Sequence, residues 1–156
     1  MAMIEEQSST IYFSSEYRHG VDGKRRVQVP SKWRPEKTEG VEYTLLVWPK
    51  GASNDICLLA MPDAVWRALA DKLNSMPFSD TKAISLRRFI GKNSEQVFLD
   101  SAGRICLPEK MAHAAAIEKD AVLVGLVDRF EIWCPSRYEA ASKLDEALSS
   151  EAFNLI

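Results

Sequence analysis

Apolar residues occupy every second position in two short stretches, "RVQV" from Arg26 and "RICL" from Arg104. That alternation is the pattern of a half-buried strand. Each stretch stops at a proline, Pro30 or Pro108, which lacks an N–H for a ladder but suits the first turn of a helix. "YTLLVW" and "DICLLA" predict two more short strands, joined by the turn-rich "PKGASN". "AVLVGL" and "RFEIW" predict a second such pair with a tighter connection. Helical spacing follows each pair. Val65, Trp66, Leu69 and Leu73 share one face between Asp63 and Asn74, and Tyr138, Ala141, Leu144 and Leu148 share one beyond Ser136. Ser136 and Glu139 have the spacing of a capping box. "SDTKAISLRRFIGKN" predicts a connecting helix ending near Gly91.

The pattern is a duplication. A shift of 78 residues carries Asp22 onto Asp100, Arg26 onto Arg104, Val27 onto Ile105, Val29 onto Leu107, Pro30 onto Pro108 and Lys32 onto Lys110. "EYTLLV" then meets "DAVLVG", and "CLLAMP" meets "FEIWCP" after a gap of five residues. The expected organisation is a first unit over 11–75, a connecting helix over 76–92 and a second unit over 93–149. Units of this size are marginal alone, so the two should pack on each other.

Charge separates the copies where pattern does not. The net charge is −2, yet Tyr17 to Arg34 holds six cations (Arg18, Lys24, Arg25, Arg26, Lys32, Arg34) against one anion, Asp22. The matching stretch from Leu99 to Ala112 balances Arg104 and Lys110 against Asp100 and Glu109. An uneven field of this kind, rather than the total, governs attraction to an anionic partner. At four residues' spacing an aspartate can accept turn N–H groups and pair with the arginine, holding the guanidinium in one orientation. An arginine so held can reach the O6/N7 edge of guanine or clamp a phosphate. Arg26 is therefore the candidate reader, oriented by Asp22, with Arg18, Lys24, Arg25, Lys32 and Arg34 as candidate phosphate contacts. Asp100 and Arg104, where the local charge is zero, read as a pair bracing a hairpin.

Composition narrows the classes. At 156 residues the chain suits one domain or two small halves sharing a core. Cys57, Cys106 and Cys134 are odd in number and far apart, which argues for reduced, buried thiols over a disulfide framework or zinc site. "MAMIEEQSST" has no signal-peptide character, and no apolar run approaches the ~20 residues of a membrane span, so a cytoplasmic location is expected. His19 and His113 are the only histidines, no GxSxG elbow is present, and "IGKN" lacks the earlier glycine of a P-loop. No catalytic residue, metal ligand or cofactor is expected. Among the tryptophans, Trp66 and Trp133 read as core or subunit contacts, whereas Trp33, next to the basic turn, stays open between core packing and stacking on a base.

The paired "DGKRRVQVP" and "DSAGRICLP", with "VGLVDRFEIW" after the second, resemble the MraZ family over about Phe13 to Leu148. The resemblance implies an α+β fold of two AbrB-like (swapped-hairpin, β-barrel-like) units with short helices. It also implies a homo-oligomeric ring, and binding of double-stranded DNA at short promoter direct repeats upstream of a division and cell wall gene cluster. A repressor associated with the nucleoid follows from the same resemblance. One position departs from the family pattern: the glycine before the arginine is present as Gly103 but is Arg25 in the first copy. A left-handed arginine there would strain the turn by roughly 1 kcal/mol, or the turn differs. The competing class is a structural or protein-interaction module of antitoxin type, which would ignore DNA sequence.

Overall fold

The structure, a computed structural model, describes residues 10–49 and 56–156. The acidic N-terminus and most of "PKGASN" lie outside the described residues. The first half of the chain forms β1 (Glu16–Gly20), β2 (Arg26–Gln28), a 3-10 turn (Ser31–Trp33), β3 (Glu42–Pro49), β4 (Ile56–Pro62) and α1 (Asp63–Asn74). α2 (Thr81–Lys92) connects it to β5 (Ser94–Phe98), β6 (Arg104–Cys106), α3 (Glu109–Ala114), β7 (Asp120–Gly125), β8 (Phe130–Trp133) and α4 (Pro135–Ala152). A second 3-10 turn (Phe153–Leu155) ends the chain. The repeated pattern is thus a repeated order of elements, and α2 alone among the helices has no counterpart. This is an α+β fold with a mostly antiparallel sheet and short helices, the class that the family resemblance implies.

Six strands form one sheet in the order β1-β7-β8-β4-β3-β5, and β2 pairs with β6 as a separate ribbon. The first strand of each copy is handed to the other. β1 lies on β7, with Tyr17 opposite Leu123, and β5 lies on β3, with Val97 opposite Tyr43. At the centre of the ribbon Val27 faces Ile105, and both are fully buried. The two hairpins join through β4 and β8, where Leu59 lies opposite Glu131. Exchanging the copies leaves this pairing unchanged, so neither copy has a complete set of strand partners without the other.

Burial follows from the alternation. The main core gathers Val27, Val29, Leu45, Leu58, Ile105, Leu107, Leu123 and Ile132 under the ribbon. Removing a side chain such as Ile105 there costs roughly 2–5 kcal/mol. α1 and α2 close a second cluster of Leu46, Leu59, Met61, Leu73 and Ile90. The first turns of α4 close a third around Cys57, Val122, Trp133 and Ala141. Trp33, open in the sequence, is core: it is buried against Phe13, Tyr17 and Phe130, and its Nε1 donates to the Ser14 carbonyl at 2.9 Å.

Several sequence expectations change. β1 and β5 are edge strands that the apolar pattern does not announce: β1 alternates exposed and half-buried positions with none fully buried, and β5 buries only Val97. α4 starts at Pro135 with Cys134 as its N-cap and no side-chain cap bond, so Ser136 and Glu139 form no capping box. Tyr138 and Ala141 pack on the sheet, but Leu144 and Leu148 stand 58 % and 57 % exposed. A helix of 18 residues runs to about 27 Å, past the ~20 Å of the six-residue β7 beneath it. Only Cys57 is a buried thiol; Cys134 is partly exposed and Cys106 sits on the outer side of the ribbon.

Candidate nucleic-acid interface

Both Asp-x-x-x-Arg stretches fold into one and the same turn. Asp22 Oδ1 accepts the Lys24 and Arg26 N–H groups at 2.9 Å, while Oδ2 accepts Arg26 Nε at 2.7 Å. Asp100 repeats this with Ala102 and Arg104, its Oδ2 accepting Arg104 Nε at 3.1 Å. An aspartate is required because one carboxylate must serve two backbone donors and a guanidinium together. The Arg26 backbone N–H does most to hold the Asp22 carboxyl down to about 2 from 3.8; desolvation opposes it, and the Arg26 guanidinium and Lys24 N–H reinforce it. Asp100 is lowered in the same way, first by the Arg104 backbone N–H.

The turn needs a left-handed residue before the arginine, and both copies supply one: Arg25 at φ 60° and Gly103 at φ 80°. The turn is therefore unchanged by the loss of glycine, and Arg25 accepts the strained conformation. Its Nε donates to the Leu107 carbonyl at 2.9 Å, a bond to the other copy that offsets part of that strain. Arg34 does the converse at the other turn. Its guanidinium lies over Gly103, where a Cβ would stand 2.6 Å from Arg34 Cζ. The position equivalent to Arg34 in the second copy is Ala112, which lines a hollow with Arg25. One arginine thus covers each turn, from the turn itself in one copy and from beyond the 3-10 turn in the other.

The ribbon buries Val27 and Ile105, so the alternate residues face outward: Arg26 opposite Cys106, and Gln28 opposite Arg104. Arg104 Nη1 comes within 3.9 Å of Asp22 Oδ2, which places both Asp–Arg pairs on one surface. The Arg26 and Arg104 side chains are 34 % and 33 % exposed, so burial does not separate a reading pair from a bracing pair. Gln28 Nε2 donates to the Ala102 carbonyl at 3.0 Å, and Cys106 Sγ to the Lys24 carbonyl at 3.2 Å, tying each turn tip to the opposite strand. Gln28 was not a candidate from sequence, although its outward phase in "RVQV" is the signal that locates it.

The remaining cations spread out. Lys24 is exposed at a turn tip, and Lys32 is exposed beside a hollow shared with His19, Gln28 and Arg34. His19 is half-buried against Tyr17. Its Nε2, like Arg34 Nε, has no hydrogen-bond partner among the described residues. Arg18 occupies the alternate phase of β1 and is exposed on the side away from Tyr17 and His19. The structure thus brings Asp22, Lys24, Arg26, Asp100 and Arg104 together, sets Arg25 and Arg34 against the turns, and leaves Arg18 apart. Among the described residues no group of three or more His, Cys, Asp or Glu is placed to hold a metal ion, and no helix is long and apolar enough to cross a membrane.

Comparison with known proteins bears on this surface. A family model described as "MraZ protein, putative antitoxin-like" matches residues 91–154. The chain is 37 % identical over 140 residues to the transcriptional regulator MraZ of Acetivibrio thermocellus, covering 90 % of this chain and 92 % of that one. It is 36 % identical over 127 residues to the same-named regulator of Clostridium tetani, covering 81 % and 84 %. With that of Desulfitobacterium hafniense it shares 36 % identity over 145 residues, covering 92 % and 96 %.

Proposed function

The chain belongs to the MraZ family of transcriptional regulators, and we propose that it acts by gripping double-stranded DNA with the β2–β6 ribbon. The supporting observation is the pair of aspartate-locked arginines, Arg26 and Arg104, side by side on one outward surface. A two-stranded ribbon fits the major groove of B-DNA. With Nε engaged by aspartate, the terminal nitrogens of Arg26 are left for two hydrogen bonds to guanine O6 and N7, whereas Nη1 of Arg104 also faces Asp22 Oδ2 at 3.9 Å. Pre-ordering by the carboxylate means that little side-chain freedom is lost on binding. Arg26 is the principal reader and Asp22 its orienting residue; the Asp100–Arg104 pair braces the ribbon and adds a second guanidinium to its face. Lys24 and Lys32, exposed at the ribbon's margin, contact phosphates and set register without reading sequence. Arg25 and Arg34 contribute charge while holding the turns, and Arg18 contributes to the field.

A few such contacts bind weakly, so several copies in a homo-oligomeric ring would gain by effective concentration on short direct repeats about one helical turn apart. In this reading the protein is a cytoplasmic, nucleoid-associated repressor of a division and cell wall gene cluster, without catalytic activity, cofactor or membrane contact. The test is a fluorescence-anisotropy titration with DNA from upstream of the protein's own gene, beside a scrambled duplex, at low and near-physiological salt. Salt-sensitive binding that prefers the upstream sequence is expected. Equal binding to both duplexes would reject sequence reading and leave the protein-interaction module as the function of the fold.

A further inference from the structure

Between β1 and the first 3-10 turn, on the flank of the ribbon, lies a hollow of about 360 Å³. Its polar walls are His19, Ser31, Lys32 and Arg34, with Gln28 on the ribbon side, and no carboxylate lines it. Among the described residues neither Lys32 nor Arg34 forms a salt bridge. Two nitrogen atoms of these walls, His19 Nε2 and Arg34 Nε, are buried and have no hydrogen-bond partner among the described residues. An arginine Nε always carries its proton, so Arg34 holds a donor with no acceptor. A buried donor left unmet is costly, and an acceptor from outside the chain relieves that cost. Gln28 is not in this position, because its Nε2 donates to the Ala102 and Gly103 carbonyls at 3.0 and 3.2 Å. The second copy lacks the corresponding groups. The 78-residue shift puts Val97, Glu109 and Ala112 where the first copy has His19, Ser31 and Arg34. The hollow that Glu109 and Ala112 line carries Glu118 as well.

We propose that the hollow beside β1 is a phosphate-binding site, separate from the guanidiniums that face bases. Charge and donor number select the ligand. A phosphomonoester carries about −1.5 to −2 charge at neutral pH and presents three strong acceptor oxygens. That matches two permanent cations, Lys32 and Arg34, with the Ser31 hydroxyl and the His19 ring around one concavity. A carboxylate brings one charge and two oxygens, fewer than the donors present. The Tyr17 ring, stacked on His19 with centroids 6.3 Å apart and planes 10° from parallel, holds the imidazole in the wall. A small phosphorylated molecule and the backbone of DNA offer the same oxygens. The inference therefore does not rest on the DNA reading, since a free phosphate fills the hollow equally.

The test follows the histidine ring signals of the full chain by NMR as inorganic phosphate replaces chloride at fixed pH and ionic strength. His19 and His113 are the only histidines, and His113 lines the second copy's hollow, so it serves as the internal reference. A saturable shift of the His19 signal with His113 unmoved is expected. Lys32→Gln removes one charged donor and should raise the half-saturating phosphate concentration about tenfold or more. Lys32 is exposed, so without phosphate the variant should melt within a few degrees of wild type. His19→Gln should reduce the rise in melting temperature that phosphate gives the wild-type chain. The same titration into the protein–duplex complex separates the two sources. Displacement of both duplexes by phosphate at constant ionic strength places a backbone phosphate of DNA in the hollow. DNA binding that is indifferent to phosphate assigns the hollow to a small phosphorylated molecule. Both results uphold the site. An unmoved His19 signal, equal shifts at both histidines, or wild-type phosphate affinity in Lys32→Gln would overturn it. None of these outcomes bears on preference for the upstream duplex over its scrambled form, so failure of the site and failure of the DNA reading are told apart.

Discussion

Arg34 lies across the turn of the opposite copy at Gly103, so the guanidinium of one half occupies the space a side chain would take in the other. Gly103→Ala adds a methyl group in the left-handed region and displaces that guanidinium. The expected loss is about 1–2 kcal/mol, or roughly 2–8 °C in melting temperature for a chain of this length. Arg34→Ala clears the space, so the double variant should lose less than the sum of the single changes. A thermal-denaturation cycle of the four proteins checks this; strict additivity would mean that the two residues do not compete.

Arg25 is the strained counterpart. Arg25→Gly relieves about 1 kcal/mol of left-handed strain and forfeits the hydrogen bond to the Leu107 carbonyl, itself about 1 kcal/mol. Near-neutral stability is expected. Arg25→Ala keeps the strain and loses the bond, so it should be the least stable of the three in urea denaturation. An alanine variant as stable as wild type would mean that the bond contributes nothing.

Gly125 presents a different obstacle, because the atoms that a Cβ would meet are backbone: Phe13 C at 2.5 Å and Ser14 N at 2.8 Å. The Gly125 N–H donates to the Ser15 carbonyl at 2.9 Å across this approach. Backbone held in this way cannot swing aside as a guanidinium can. Gly125→Ala should cost about 1–3 kcal/mol, the range for overpacking. Denaturation should rank it at or below Gly103→Ala, and amide exchange at residues 13–15 should accelerate.

The carboxylates predict the acid limb. A folded-state acidity below the unfolded value means that the unfolded chain binds more protons, so stability rises with pH across the interval. For Asp22 that interval runs from 3.8 down to about 2. At neutral pH, Asp22→Asn should melt below wild type, and the difference should shrink as pH falls through this window. Asp100→Asn should behave alike, since the Arg104 N–H lowers Asp100 in the same manner. A gap independent of pH between 4 and 2 would mean that the charge is not the stabilising element.

Much of this was readable from periodicity and repetition. Val27, Val29, Ile105 and Leu107 announce the ribbon by alternation, and the 78-residue shift announces that the halves are alike. The swap of first strands was not readable, because "EYRHG" and "SEQVF" are edge strands whose sequence carries no record of the partner chosen across the molecule. Leu144 and Leu148 keep helical phase with Ala141 although the sheet ends beneath them; phase shows a face, not what covers it. Charge counting assigned the two Asp–Arg pairs different roles. That they share a surface shows only in the ribbon pairing and in the approach of Arg104 Nη1 to Asp22 Oδ2, contacts between residues far apart in sequence.

The central claim is that aspartate-locked arginines read bases while the lysines beside them hold phosphates. The most direct measurement is anisotropy titration of wild type, Arg26→Ala, Arg104→Ala and Lys32→Ala against the upstream duplex and its scrambled form over a range of salt. Arg26→Ala should lose the preference between duplexes by about 1–3 kcal/mol, and Arg104→Ala should reduce it by less. Lys32→Ala should weaken both duplexes alike and lower the salt slope by about one. An Arg26 variant that keeps the full preference between duplexes would contradict the account.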